Sequence, residues 1–235
     1  LLADRLGIER FAAVIGGSMG GMHAIEWAVG SPGRLERVAI LAAPAISNAD
    51  QIALNSVQIE AIRMDPTFRN GAYYDEDEGP YRGLALARRM ALLNYRSPDE
   101  LNERFERSWQ GALDPLGRGG RFAVESYLDF HGNKFTRRFD ANSYITLVEA
   151  MNSHDITRGR GTLDEVLGAV TARALVLGID TDRLFPVEQQ QEIAARLPAT
   201  IHGSEAVVIS SPFGHDAFLI EDELVGRHLA TLLAE

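Results

Sequence analysis

The stretch Gly16-Gly17-Ser18-Met19-Gly20-Gly21 centres a serine in a Gly-x-Ser-x-Gly pattern. A serine hydroxyl does nucleophilic chemistry only when the backbone lifts it clear of its surroundings and a base lies at hand. The glycines permit a strained strand-to-helix turn in which flanking side chains would collide. Before the pattern, Phe11-Ala12-Ala13-Val14-Ile15 is an apolar run of strand length; after it, Met22 to Val29 has helical character. In that context Ser18 reads as the tip of a nucleophile elbow. The helix N-terminus that follows favours developing negative charge, and the backbone N–H of Met19 is a candidate oxyanion donor. The pattern lacks the lysine and the glycine spacing of a phosphate-cradling loop.

The hydroxyl needs a general base, and the base needs an orienting carboxylate. Six histidines compete. His23 and His228 fall on predicted helices, and His131, His154 and His202 lie in or near the central stretch and its neighbouring loops. His215, in Ser211-Pro212-Phe213-Gly214-His215-Asp216, follows the last predicted strand and is the candidate base. Asp180 and Asp182, in Gly178-Ile179-Asp180-Thr181-Asp182, both end a predicted strand. That is the carboxyl edge at which open α/β sheets place their sites. Spacing leaves either one as the acid, with the other a turn or cap residue. The order Ser, Asp, His is that of α/β-hydrolases rather than of chymotrypsin or subtilisin. The chain has no cysteine, which excludes a thiolate nucleophile, a disulfide framework and a Cys-ligated metal. No metal site and no bound cofactor are expected.

These groups need a scaffold. Arg37 to Ala42, Ala174 to Ile179 and Ala206 to Ile209 read as further strands, and Val187 to Leu197 and Glu221 to Leu233 as helices. Their alternation predicts a mostly parallel sheet flanked by helices on both faces. Between the second and third strands the pattern changes. Ser97-Pro98-Asp99-Glu100 is a helix start, Asp140 caps a helix through Met151 along a stripe of Tyr144, Leu147, Val148 and Met151, and no strand pair is evident. Asp75 to Pro80 reads as an exposed acidic loop. The expected organisation is therefore 1–47 as core with the elbow, 48–165 as a helical lid insertion, and 166–235 as core with the acid and the histidine. The chain opens Leu1-Leu2-Ala3-Asp4-Arg5-Leu6-Gly7, without a Met and inside a helix that Gly7 stops, so it reads as a fragment or processed piece.

With 33 acidic against 23 basic residues the formal charge is −10, which repels nucleic-acid phosphates and anionic lipid. Arg158 and Arg160, in Thr157-Arg158-Gly159-Arg160-Gly161, form a local basic cluster that would suit a small anion such as a CoA ester. No apolar run approaches the roughly 18 residues of a membrane span, and no signal-peptide pattern opens the chain.

Several ordered stretches together resemble homoserine O-acetyltransferases. They are Gly16 to Met22, Val124 to Asp129, Arg138 to Tyr144, His154-Asp155 with Arg158 to Gly161, Thr181 to Pro186, and Gly214 to Leu219. The resemblance implies an α/β-hydrolase fold whose first strands are missing here, and it selects Asp182 as the acid because the family's acid precedes x-Leu-Phe/Tyr-Pro. It also implies a ping-pong reaction with acetyl-CoA as co-substrate and L-homoserine as acceptor. Arg88, Tyr95 and Asp216 would then recognise the amino acid, with Arg88 on the α-carboxylate and Asp216 on the α-ammonium. A homodimer joined through the helical insertion, a cytoplasmic location and a place in methionine biosynthesis follow from the same resemblance. Succinyl-CoA as donor, serine as acceptor, a serine esterase or a non-enzymatic fragment are the alternatives.

Overall fold

The computed structural model describes residues 2–112 and 119–234; Leu1, expected in the opening helix, and residues 113–118 of the expected insertion lie outside them. Two compact units form, Leu1–Ser47 with His154–Glu235, and Asn48–Ser153. In chain order the first unit begins with α1 (Leu2–Arg5), β1 (Val14–Gly17), α2 (Met19–Gly30) and β2 (Arg37–Leu41). The second contains α3 (Ala49–Arg63), α4 (Tyr81–Tyr95), α5 (Pro98–Phe105), β3 (Trp109–Gly111), β4 (Gly120–Phe122), α6 (Ala123–Thr136) and α7 (Ala141–Asn152). The chain then returns to the first unit through α8 (Leu163–Gly168), β5 (Arg173–Ile179), α9 (Val187–Ala194), β6 (Val207–Ile209), α10 (Ala217–Ile220) and α11 (Asp222–Ala234).

The first unit is built on a parallel sheet in the order β1-β2-β5-β6. Val14 lies opposite Val38, Leu41 opposite Leu177, and Ile179 opposite Ile209. Alternation along the strands feeds two cores. Val38, Ile40, Ala174 and Val176 join Ile25 and Ala28 of α2 and Ile193 of α9. Ala39, Leu41, Leu175, Leu177 and Ile179 join Val225 and Leu232 of α11. A strand buried on both faces must be apolar throughout, which is why β2 and β5 read as unbroken hydrophobic runs. Full burial of a side chain such as Ile40 or Leu175 contributes roughly 1.5–3 kcal/mol.

The expected boundary at residue 165 moves to 153. Ile156, Val166 and Leu167 are part of the first unit's core. The returning chain pairs with the departing one: Ser47 N–H donates to His154 O at 3.0 Å and Ile156 N–H to Ala45 O at 3.2 Å. Burial and backbone pairing therefore hold residues 154–165 to the sheet.

In the second unit α4 packs against α3 and α6. Its core includes Ile59, Ile62, Leu84, Ala87, Phe135 and Tyr144. Ser97 Oγ accepts the Glu100 N–H at 3.1 Å, and Asp140 Oδ2 accepts the Ser143 N–H at 2.7 Å, so both expected caps start their helices. Asp75 to Glu78 are exposed, with Glu76 ion-paired to Arg69. One expectation fails: β3 and β4 form an antiparallel pair, Trp109 opposite Phe122. Each strand is only three residues long and glycine-bearing, so no alternating pattern announced it. The two rings meet edge-on at 5.2 Å.

Candidate active site

β1 ends at Gly17 and α2 begins at Met19, leaving Ser18 as the joint, at φ 57 and ψ −125. A positive φ is costly for a residue with a side chain and persists where neighbours over-determine it. Here Ser18 N–H donates to Leu41 O at 2.9 Å, while Gly21 and Met22 donate to Ser18 O at 2.8 and 3.1 Å. The turn is so tight that a Cβ on Gly16 would lie 1.9 Å from Gly20 O. Met19 is the first residue of α2, so its N–H has no acceptor within the helix.

His215 Nε2 lies 2.8 Å from Ser18 Oγ, and its Nδ1 lies 2.7 Å from Asp182 Oδ2. A carboxylate only accepts, so Nδ1 carries the hydrogen and Nε2 is left to accept from the serine hydroxyl. Asp182 Oδ1 accepts the N–H groups of Leu184 and Phe185 at 2.8 and 3.0 Å. Both carboxylate oxygens are therefore engaged, and the acid cannot swing away from the ring. His215 and Asp182 are 3% and 5% exposed. Phe185 and Phe218 pack edge-on against the imidazole at 5.2 and 5.4 Å. A serine hydroxyl, a buried imidazole and a buried carboxylate in unbroken hydrogen-bond contact form an arrangement that can move a proton off the serine.

Asp180, the rival acid, instead accepts the Ser211 N–H through Oδ1 at 3.1 Å. Thr181, between the two aspartates, joins their loop to the histidine loop: its Oγ1 donates to Ser211 O and accepts the Gly214 N–H at 3.1 Å. Ser211 Oγ in turn donates to Glu221 Oε1 at 2.8 Å. In the sequence these supporting residues had no role of their own; Thr181, Phe185, Gly214 and Phe218 entered only as members of the stretches that carry the family resemblance.

The remaining expected residues are distributed as follows. Asp216 adjoins His215 and is half-buried in the first unit. Arg88 lies on α4 of the second unit, its guanidinium 5.1 Å over the Tyr95 ring and 4.9 Å over the Phe135 ring. It makes no ion pair among the described residues. Arg160 is not a spare cation: it grips Glu26 with both nitrogens at 2.7 and 3.2 Å. Arg158 is exposed. His154 is buried, with Nε2 donating to Pro44 O at 3.1 Å, and burial pushes its pKa down. Among the described residues no cluster of three or more His, Cys, Asp or Glu could hold a metal, and no helix is long and apolar enough to cross a membrane.

A family model described as the alpha/beta hydrolase fold matches residues 2–222. The chain is 67% identical over 234 residues to the homoserine O-acetyltransferase of Clavibacter michiganensis subsp. michiganensis (strain NCPPB 382), covering 99% of this chain and 60% of that protein. It thus spans less than two thirds of the length of that relative. Among solved structures, homoserine O-acetyltransferase from Bacillus anthracis superposes with a TM-score of 0.89 at 27% identity, over 100% of this chain and 62% of the other. The acetyl esterase MekB superposes with a TM-score of 0.82, also at 27% identity, over 100% and 65% of the two chains. With its parallel sheet, its serine elbow and a family match over nearly all of its length, this chain belongs to the alpha/beta hydrolase fold family.

Proposed function

We propose that this chain carries the acyl-transfer centre of a homoserine O-acetyltransferase. The observation that carries the chemistry is the hydrogen-bonded relay from Ser18 through His215 to Asp182. The choice of substrates rests on the similarity to proteins of that name. Ser18 Oγ attacks the thioester carbonyl of acetyl-CoA while His215 Nε2 takes its proton. The oxyanion draws on the Met19 N–H and the start of α2. Collapse expels the CoA sulfur, which receives that proton, and leaves acetyl-Ser18. The homoserine hydroxyl then attacks, His215 takes its proton, and O-acetylhomoserine leaves as the proton returns to Ser18. Arg88 and Tyr95 hold the acceptor's carboxylate end, and Asp216 its ammonium. The reaction needs no metal and no resident cofactor. A homodimer formed through the helical unit, a cytoplasmic setting and a role in methionine biosynthesis accompany this reading.

A second reading is favoured by the likeness to an acetyl esterase. Transferase and esterase share every step up to the acyl-enzyme and differ in what discharges it. Intact-mass spectrometry after mixing with acetyl-CoA distinguishes them. The expected result is a single acetyl adduct on Ser18 that homoserine clears quickly and water slowly. An adduct cleared by water as fast as by homoserine would establish the hydrolase instead.

A further inference from the structure

The chain leaves β2 through a segment that is both strained and buried. Ala42, the first residue beyond the strand, sits at φ 46, a costly conformation for a residue with a side chain that persists where the surroundings impose it. Ala42 and Ala43 are both fully buried. This exit lies against the elbow. Leu41 O accepts the Ser18 N–H at 2.9 Å, and a Cβ on Gly21 would lie 2.6 Å from the Ala43 Cβ. A shift of the exit therefore reaches the backbone that carries Ser18.

The segment is held from several sides, all within the first unit. Ala42 N–H donates to Leu177 O at 2.7 Å, His154 Nε2 to Pro44 O at 3.1 Å, and Gln190 Nε2, on α9, to Ala43 O at 3.2 Å. Gln190 stands out among these. It is 0% exposed, and its amide oxygen has no hydrogen-bond partner among the described residues. Exchanging the amide oxygen and nitrogen would set oxygen against the Ala43 oxygen, so the orientation is fixed. Oε1 lies instead against Gly178 of β5, where an added Cβ would come within 2.7 Å of it. A buried carbonyl left unmatched costs stability, and an apolar side chain of similar length would fill the space without that cost. What the amide adds is its bond to Ala43 O.

We propose that Gln190 is a positioning residue: its amide holds the strained exit of β2 against the elbow and so fixes the backbone from which Ser18 acts. The proposal rests on Ser18 as the nucleophile and is independent of the acyl donor and acceptor.

The test measures the rate at which Ser18 is labelled by a fluorophosphonate, which reacts with an activated serine whatever its natural substrate. Labelling is followed by intact-mass spectrometry at pH 6, at a temperature where each variant is fully folded. Gln190→Met removes the donor, and the maximal labelling rate should fall about 10- to 100-fold, the cost of a small misplacement of the nucleophile. The half-saturating probe concentration should stay within about twofold of wild type, because the misplacement acts on the reaction and not on probe binding. Gln190→Glu should restore the rate to within about threefold, since burial keeps its carboxyl protonated and able to donate an O–H to Ala43 O. Gly178→Ala, which pushes the amide from the other side, should slow labelling as Gln190→Met does and carries the test if that variant does not fold. Ile193→Val, trimming a buried residue on the same helix, should lower the thermal midpoint and leave the labelling rate at the wild-type value. Wild-type labelling by Gln190→Met, equal slowing by Gln190→Met and Gln190→Glu, or equal slowing by Ile193→Val would each overturn the proposal and leave the transferase reading intact. A wild-type chain that the probe does not label would overturn Ser18 as the nucleophile and this proposal with it. A chain labelled by the probe but not by acetyl-CoA would count against the transferase alone.

Discussion

His215 holds two partners at once, and each sets a different property. The Asp182 carboxylate fixes the tautomer through Nδ1, and Nε2 is thereby available to Ser18. An amide at position 182 keeps an oxygen for the Leu184 and Phe185 N–H groups but turns an N–H toward the ring. That selects the wrong tautomer. Asp182→Asn should lower the rate of Ser18 acetylation by about 10⁴-fold with little change in thermal midpoint, measured by timed intact-mass spectra and calorimetry. Retention of the wild-type rate would mean that Asp182 is not the orienting acid. Asp180 and Asp182 stand two residues apart at the end of the same strand, so spacing left both open as the acid. The fold separates them: one carboxylate braces the Ser211 backbone, the other meets the imidazole.

At the scale of elements, the elbow and the two loops beside it do the positioning. The glycines of the motif are not equivalent. A Cβ at Gly16 would meet the Gly20 carbonyl at 1.9 Å, whereas one at Gly20 meets nothing within 4 Å. Gly16→Ala should therefore abolish folding or displace Ser18, with loss of the adduct. Gly20→Ala should keep or raise the thermal midpoint, since alanine is favoured over glycine in a helix by roughly 0.5–1 kcal/mol. Equal destabilisation by the two substitutions would contradict this account of the turn. The strand-turn-helix itself was legible, because an apolar run, a glycine cluster and a helical period follow one another directly. The β3–β4 pair was not, because three-residue strands leave no period to detect.

Across the molecule, three histidines respond to acid in the same sense. His154, His131 and His228 each have a lowered pKa, with burial the first cause in all three. Neighbouring cations add to the effect at His131, and His202 and Arg227 at His228. The unfolded chain binds protons at these positions near pH 6.5, where the folded chain does not. Their contribution to stability is therefore complete above about pH 6.5 and is lost as the pH falls through the lowered folded values. The thermal midpoint should drop between pH 7.5 and 5.5, before the carboxylates titrate. His154→Gln, which keeps a donor for Pro44 O, should flatten part of that slope. A midpoint independent of pH over this range would show that these histidines remain accessible to protons in the folded state.

The linear sequence determined the strands of the parallel sheet and their order along the chain, the strand-turn-helix around Ser18, the loop position of His215 and the mainly helical character of the middle stretch. Each of these depends on residues adjacent in the chain: apolar periods, glycines at a turn, polar caps. It also carried the resemblance to the acyltransferases, because ordered motifs survive as strings. The tertiary structure decided what depends on residues far apart. It assigned the two aspartates their separate partners and returned residues 154–165 to the sheet through contacts with residues 45 and 47. It consumed Arg160 in a fork with Glu26. Hydrogen bonds and burial are set in space, and a one-dimensional pattern records only those made between neighbours in the chain.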